Sequence, residues 1–98
     1  MPTTLEEIRR ELRVTLPGLQ GRYPISYLGV FGSWVRGEQR PGSDLDLLVD
    51  VDGPIDLFAY VRWQEEIARR LGVPVDLVHR PGLKPAIGRN VLREVQPV

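Results

Sequence analysis

Residues 28–50, LGVFGSWVRGEQRPGSDLDLLVD, narrow the choices open to this chain more than any other stretch. An apolar run ends in Gly32-Ser33, ten residues follow, and the next apolar run opens with Asp44-Leu45-Asp46. The β-branched and aromatic residues of 25–31, bounded by Pro24 and Gly32, predict a strand, and 44–51 predict a second. Side chains alternate along a strand, so Asp44, Asp46, Leu48 and Asp50 share one face, and Leu45, Leu47 and Val49 share the other. The apolar face must meet helices. The aspartates are then left on an uncovered face that metal and substrate can reach.

The rest of the chain supplies the covering layer. Thr3 or Thr4 is placed to cap a first helix, with Glu6 or Glu7 three residues on, and Leu5, Ile8, Leu12 and Leu16 follow at helical spacing until Pro17-Gly18. Ser33 is expected to cap a single helical turn over 34–37, and the polar residues 38–42 form a loop. In 56–71, the residues Leu57, Tyr60, Val61, Gln64, Ile67, Ala68 and Leu71 trace one helical stripe, stopped by Gly72. A third strand is expected over 73–79, and Pro85 opens a last helix through Val95. The expected architecture is α/β: a small mixed sheet of three or four strands with helices mainly on one face, in one domain spanning 1–98.

Composition closes off several functions. Thirteen basic and thirteen acidic groups cancel, so no global positive field gathers nucleic acid or an anionic membrane, and direct nucleic-acid binding is not expected. With no cysteine there is no disulfide, thiol nucleophile or Cys-based zinc site; metal must sit on oxygen or on the lone His79. No stretch approaches the roughly 18 apolar residues of a membrane span, and the expected location is the cytoplasm.

In the third strand Asp76 alternates with Val75, Leu77 and His79, so it can join the face of Asp44 and Asp46. Three converging carboxylates repel one another and raise at least one pKa unless a cation neutralises them. Mg²⁺ suits such a set, because it takes oxygen ligands and completes its shell with water and substrate phosphates. Two ions could serve an in-line displacement with pyrophosphate leaving. Gly32 permits close backbone approach, and Ser33 lies where free N–H groups favour phosphate oxygens. Arg36 has two uses open to it: clamping a phosphate, or bracing the turn against nearby carbonyls or a carboxylate. Ser43 can close the loop or touch a phosphate. His79, Trp34, Phe58, Tyr60 and Trp63 are assigned to packing or to a partner surface, with base stacking also open to Trp34.

Gly-Ser, ten residues, then Asp-x-Asp resembles the signature of the polymerase-β-type nucleotidyltransferase superfamily, and the shortness of the chain resembles its minimal nucleotidyltransferase branch, antitoxins encoded beside HEPN-domain partners. The resemblance implies a polymerase-β-like palm fold in which Asp44, Asp46 and Asp76 hold two Mg²⁺ ions, Asp76 is the base or base-orienter, and Gly32 and Ser33 hold the triphosphate. It further implies transfer of AMP from ATP to a hydroxyl, most simply a tyrosine, of a HEPN toxin in a hetero-complex. Two alternatives stay in view: a non-catalytic antitoxin that neutralises its partner by occupancy, and nucleotidylation of a small molecule such as an antibiotic. Val35 replaces a small residue common in the family's turn. No further helical domain follows the last helix in the sequence, so the acceptor is expected to be held by the partner.

Overall fold

A computed structural model describes residues 3–98. In chain order the elements are α1 (Leu5–Gln20), β1 (Ile25–Phe31), α2 (Ser33–Arg36), β2 (Leu45–Val51), α3 (Leu57–Leu71), β3 (Val75–His79), a 3₁₀ turn (Arg80–Gly82), α4 (Pro85–Glu94) and β4 (Gln96–Pro97). The sheet runs β3-β2-β1-β4, with β1 antiparallel to both neighbours and β3 parallel to β2. It is the small mixed sheet expected. No helix among the described residues is long and apolar enough to cross a membrane.

α1 begins as its sequence dictates: the Thr4 side chain accepts the Glu7 N–H at 3.2 Å, satisfying one of the free donors of the first turn. It does not stop at Pro17-Gly18, however, but runs through Pro17 to Gln20. Burial decides this. The extra turn puts Leu19 into the core at 1% exposure while Pro17 stays on the solvent side, and that apolar burial outweighs the bond forfeited by the missing proline N–H.

α3 is capped by Asp56, whose carboxylate accepts the Ala59 N–H at 2.8 Å, and Gly72 ends it in the left-handed conformation. Its inward face is rotated from the expected stripe. Trp63, Ile67 and Leu71 are buried, whereas Leu57 and Val61 are exposed, as is Phe58. Trp63 sets the rotation because it has the most area to bury: it stacks on Tyr23 with ring centroids 5.6 Å apart and meets Tyr60 edge-on at 6.1 Å. The partly buried Tyr60 and Gln64 on this face have another task. Leu77, on the edge strand β3, gives its N–H to Gln64 Oε1 at 2.9 Å and accepts the Tyr60 hydroxyl at its carbonyl, so the sheet edge under α3 is satisfied.

The main core lies between one face of the sheet and helices α1 and α3, and it takes in Leu45, Leu47 and Val49 from β2, Leu77 from β3 and Trp34 from α2. Trp34, 6% exposed, is thus a core residue. His79 faces the same side, since it pairs with Val49 in the β2–β3 register. The opposite face is not bare along its whole length. Leu48 is fully buried there, and Gly29, its partner across β1, leaves room that Tyr27 and Val95 fill. β4, which follows, adds the fourth strand by pairing Pro97 with Gly29 and Gln96 with Val30.

Candidate active site

Three carboxylates come together at one end of the second face. Asp46 at the start of β2 is opposite Asp76 at the start of β3 in the parallel register, so both side chains leave the sheet on the same side. Asp44, the first residue of the expected strand 44–51, lies just before the observed β2, which starts at Leu45. Asp44 and Asp76 are exposed and Asp46 is half-buried. The Asp46 carboxyl is pushed up to about 6, first by its burial, then by the negative charges of Asp76 and Asp44; Arg36 counters the rise and Glu94 adds to it. The raised value reflects a carboxyl that is half-buried beside two other carboxylates.

An oxygen-preferring divalent cation fits that donor set. The ligands are carboxylates alone, they share a face, and their repulsion is the kind a hard cation relieves. Among the described residues no group of three or more acidic or histidine side chains is arranged to hold a metal ion. A cation held there would need further oxygens, of the kind that a substrate's phosphates bring to Mg²⁺.

The Gly-Ser turn abuts this cluster. Gly32 has φ +83° and ψ −152°, a backbone region kept for glycine, and a Cβ there would collide with the Asp46 carboxylate. Gly32, not Ser33, is the N-cap residue of α2; Ser33 is the first helical residue, and its side chain makes no capping bond. The reason lies in the bonds of the Gly32 carbonyl, which accepts from Val35 and Arg36 and so starts the helix one residue earlier. Gly37, with φ +72°, stops it after a single turn.

In this structure Arg36 braces the turn. Its Nη1 donates to both Glu94 oxygens, at 2.9 and 3.1 Å, and its Nε donates to Glu38 at 3.0 Å. These bonds raise the Arg36 pKa further above its ordinary value. Ser43 closes its loop: its Oγ accepts the Arg40 N–H at 2.8 Å. Asp50 shares the aspartates' face but pairs with Arg80 at 2.8 Å, and Arg80 lies over the Tyr27 ring, so it takes no part in the cluster. Glu94 is the site residue that sequence reasoning missed. Arg36's need for a partner was visible, but nothing near it in sequence pointed to a carboxylate at the far end of α4.

A family model for the nucleotidyltransferase domain matches residues 7–98, nearly the whole chain and all the groups just described. The chain belongs to the nucleotidyltransferase family. The protein adenylyltransferase MntA of Thermococcus cleftensis is 42% identical over 92 residues, an alignment covering 94% of this nucleotidyltransferase and 93% of the relative. A solved structure assigned provisionally as a minimal nucleotidyltransferase is 38% identical and superposes with a TM-score of 0.82, covering 98% of this chain and 97% of its own. A more distant neighbour, at 21% identity and a TM-score of 0.60, is the complex of a tri-AMPylated Shewanella oneidensis HEPN toxin with its MNT antitoxin; it covers 94% of this chain and 66% of that one, and shares the fold. The sequence resemblance to the minimal branch therefore holds. This nucleotidyltransferase is an enzyme by its family.

Proposed function

We propose that the chain is the antitoxin of a HEPN-domain toxin and acts by transferring AMP from ATP to a tyrosine hydroxyl of that partner in the cytoplasm. The observation that carries this reading is the side-by-side pairing of Asp46 with Asp76 beneath the Gly-Ser turn, where the Asp46 carboxyl is pushed up to about 6 by its burial and by the negative charges of Asp76 and Asp44. A pure binding module has no use for carboxylates that repel one another. The names of the relatives support the rest: one is a protein adenylyltransferase, and the antitoxin in the distant complex sits with an AMPylated HEPN toxin.

In this reading Asp44, Asp46 and Asp76 hold Mg²⁺, two ions by family resemblance, which when bound neutralises the phosphates and makes the acceptor hydroxyl more acidic. Gly32 allows the triphosphate close to the backbone, and Ser33 faces it. The acceptor oxygen attacks the α-phosphorus, the bond from that phosphorus to the bridging oxygen breaks, and pyrophosphate leaves with the electron pair. Asp76, exposed at the strand end, takes or orients the proton of the attacking hydroxyl. The added phosphate and adenosine bring charge and bulk to the partner's surface, enough to block a neighbouring active site.

Incubation with ATP, Mg²⁺ and the HEPN protein encoded beside this chain, followed by intact-mass measurement of both proteins, tests the reading. A gain of one or more AMP units on the partner is the expected result, and Asp44→Asn should abolish it while leaving the fold intact. Neutralisation of the partner in cells by Asp44→Asn as well as by wild type would show that occupancy, not transfer, is the mechanism.

A further inference from the structure

Glu94 is the last residue of α4, yet its carboxylate reaches the catalytic turn: Oε2 accepts the Gly32 N–H at 2.5 Å, and both oxygens accept from Arg36. The register of β1 with β4 explains the position. Gly29 faces Pro97, Val30 faces Gln96, and the Leu28 carbonyl accepts from Val98. Carried onward, this antiparallel ladder would set Glu94 against Gly32. At that point the chain is still helical, so no backbone carbonyl is on hand for the Gly32 N–H. The Glu94 side chain supplies the acceptor instead and extends the ladder by one rung.

We propose that Glu94 is a positioning residue for nucleotide transfer: it pins the Gly32-Ser33 turn to the sheet and fixes the Arg36 guanidinium beside it. The inference rests on the nucleotide site proposed above and assigns Glu94 no contact with substrate. Two features make the link more than a surface ion pair. The Glu94 side chain is only 24% exposed, and it binds a backbone group that has no other partner within the sheet. Gly32 in turn lies against the Asp46 carboxylate, so the phosphate turn, the arginine and the carboxylate cluster are held in one arrangement by the end of α4. The Gly32 N–H is thereby committed to Glu94.

Steady-state transfer of AMP to the HEPN partner, measured with ATP and Mg²⁺ for wild type, Glu94→Ala, Glu94→Gln, Arg36→Ala and the Arg36→Ala/Glu94→Ala double variant, tests this. Glu94→Ala should raise the KM for ATP about tenfold, the size of one charge-assisted bond, with kcat changed by less than about threefold. Glu94→Gln should recover most of the loss, because its amide oxygen still accepts from Gly32. In the Arg36→Ala background Glu94→Ala should raise KM by less than it does alone. A thermal melt accompanies each variant, and a loss that only destabilised the fold would lower the active fraction, hence kcat, rather than raise KM.

Unchanged KM in Glu94→Ala overturns the proposal, and so does tighter ATP use, which would make Glu94 a competitor of phosphate. In either case wild-type labelling of the partner leaves the proposed function standing. A wild type that neither uses ATP nor labels the partner removes both readings.

Discussion

Gly32 is where backbone and chemistry constrain one another most closely. Its φ of +83° excludes other residues on conformational grounds, and the Asp46 carboxylate occupies the space a Cβ would take. Gly37 makes a useful control, since its φ of +72° is equally left-handed but nothing crowds it. Gly37→Ala should cost about 1 kcal/mol, from backbone strain alone. Gly32→Ala should cost about 2–4 kcal/mol, strain plus overpacking, and should abolish nucleotide transfer as well. Urea unfolding of the two variants checks this, and equal costs would show that Asp46 does not press on the turn. At this scale the placement of residues was legible in the sequence: the turn at Gly32-Ser33 could be read directly, and strand alternation put Asp46 and Asp76 on one face. Glu94 could not be read, because its partners are joined to it only by the docking of a distant strand. Ser43 and Arg36 each had a structural and a functional reading in sequence, and the structural one is visible in their bonds to Arg40 and Glu94.

The helices illustrate burial overruling local signals. Pro17-Gly18 reads as a stop, yet α1 continues because Leu19 reaches the core. The stripe of α3 reads as running from Leu57 and Val61 to Ile67 and Leu71, yet Trp63 turns the helix so that Ile67 and Leu71 stay buried while Leu57 and Val61 face out. Trp63→Ala should therefore destabilise the protein by about 3–5 kcal/mol, the usual cost of emptying a fully buried aromatic site, measured by chemical denaturation. Val61→Ala, at an exposed position of the same helix, should change stability by less than about 0.5 kcal/mol. Equal effects would mean that the stripe read from sequence is the buried one after all. Strand existence was legible from β-branched runs and turn residues. β4 was not, since two residues ending a chain carry no periodicity, and only the unpaired edge of β1 calls for them.

For the whole molecule, charges that cancel in sum are sorted in space, and the carboxylate face carries the imbalance. The Asp46 carboxyl titrates at about 6, above its ordinary 3.8, so the folded protein holds that proton more tightly than the unfolded chain. The group's contribution to stability is full below about pH 3.8 and is lost as pH rises through about 6. In metal-free buffer, raising the pH from about 5 to 7.5 should thus lower the melting temperature of wild type more than that of Asp46→Asn. MgCl₂ should restore it at pH 7.5 and do little at pH 5. Thermal melts in the four conditions check both statements, and a wild type whose loss is no greater than the variant's would remove Asp46 as the source. The pairing of Gly29 with Pro97 has one more consequence, for the order of assembly. β1 leads into the Gly-Ser turn but is flanked on one side by residues 96–97, and contacts between such distant segments form slowly. On a ribosome, where the N-terminal part emerges first, the helices and the first strand pair can gather early. The Gly-Ser turn at the end of β1 thus gains its second flanking strand only when residues 96–97 dock.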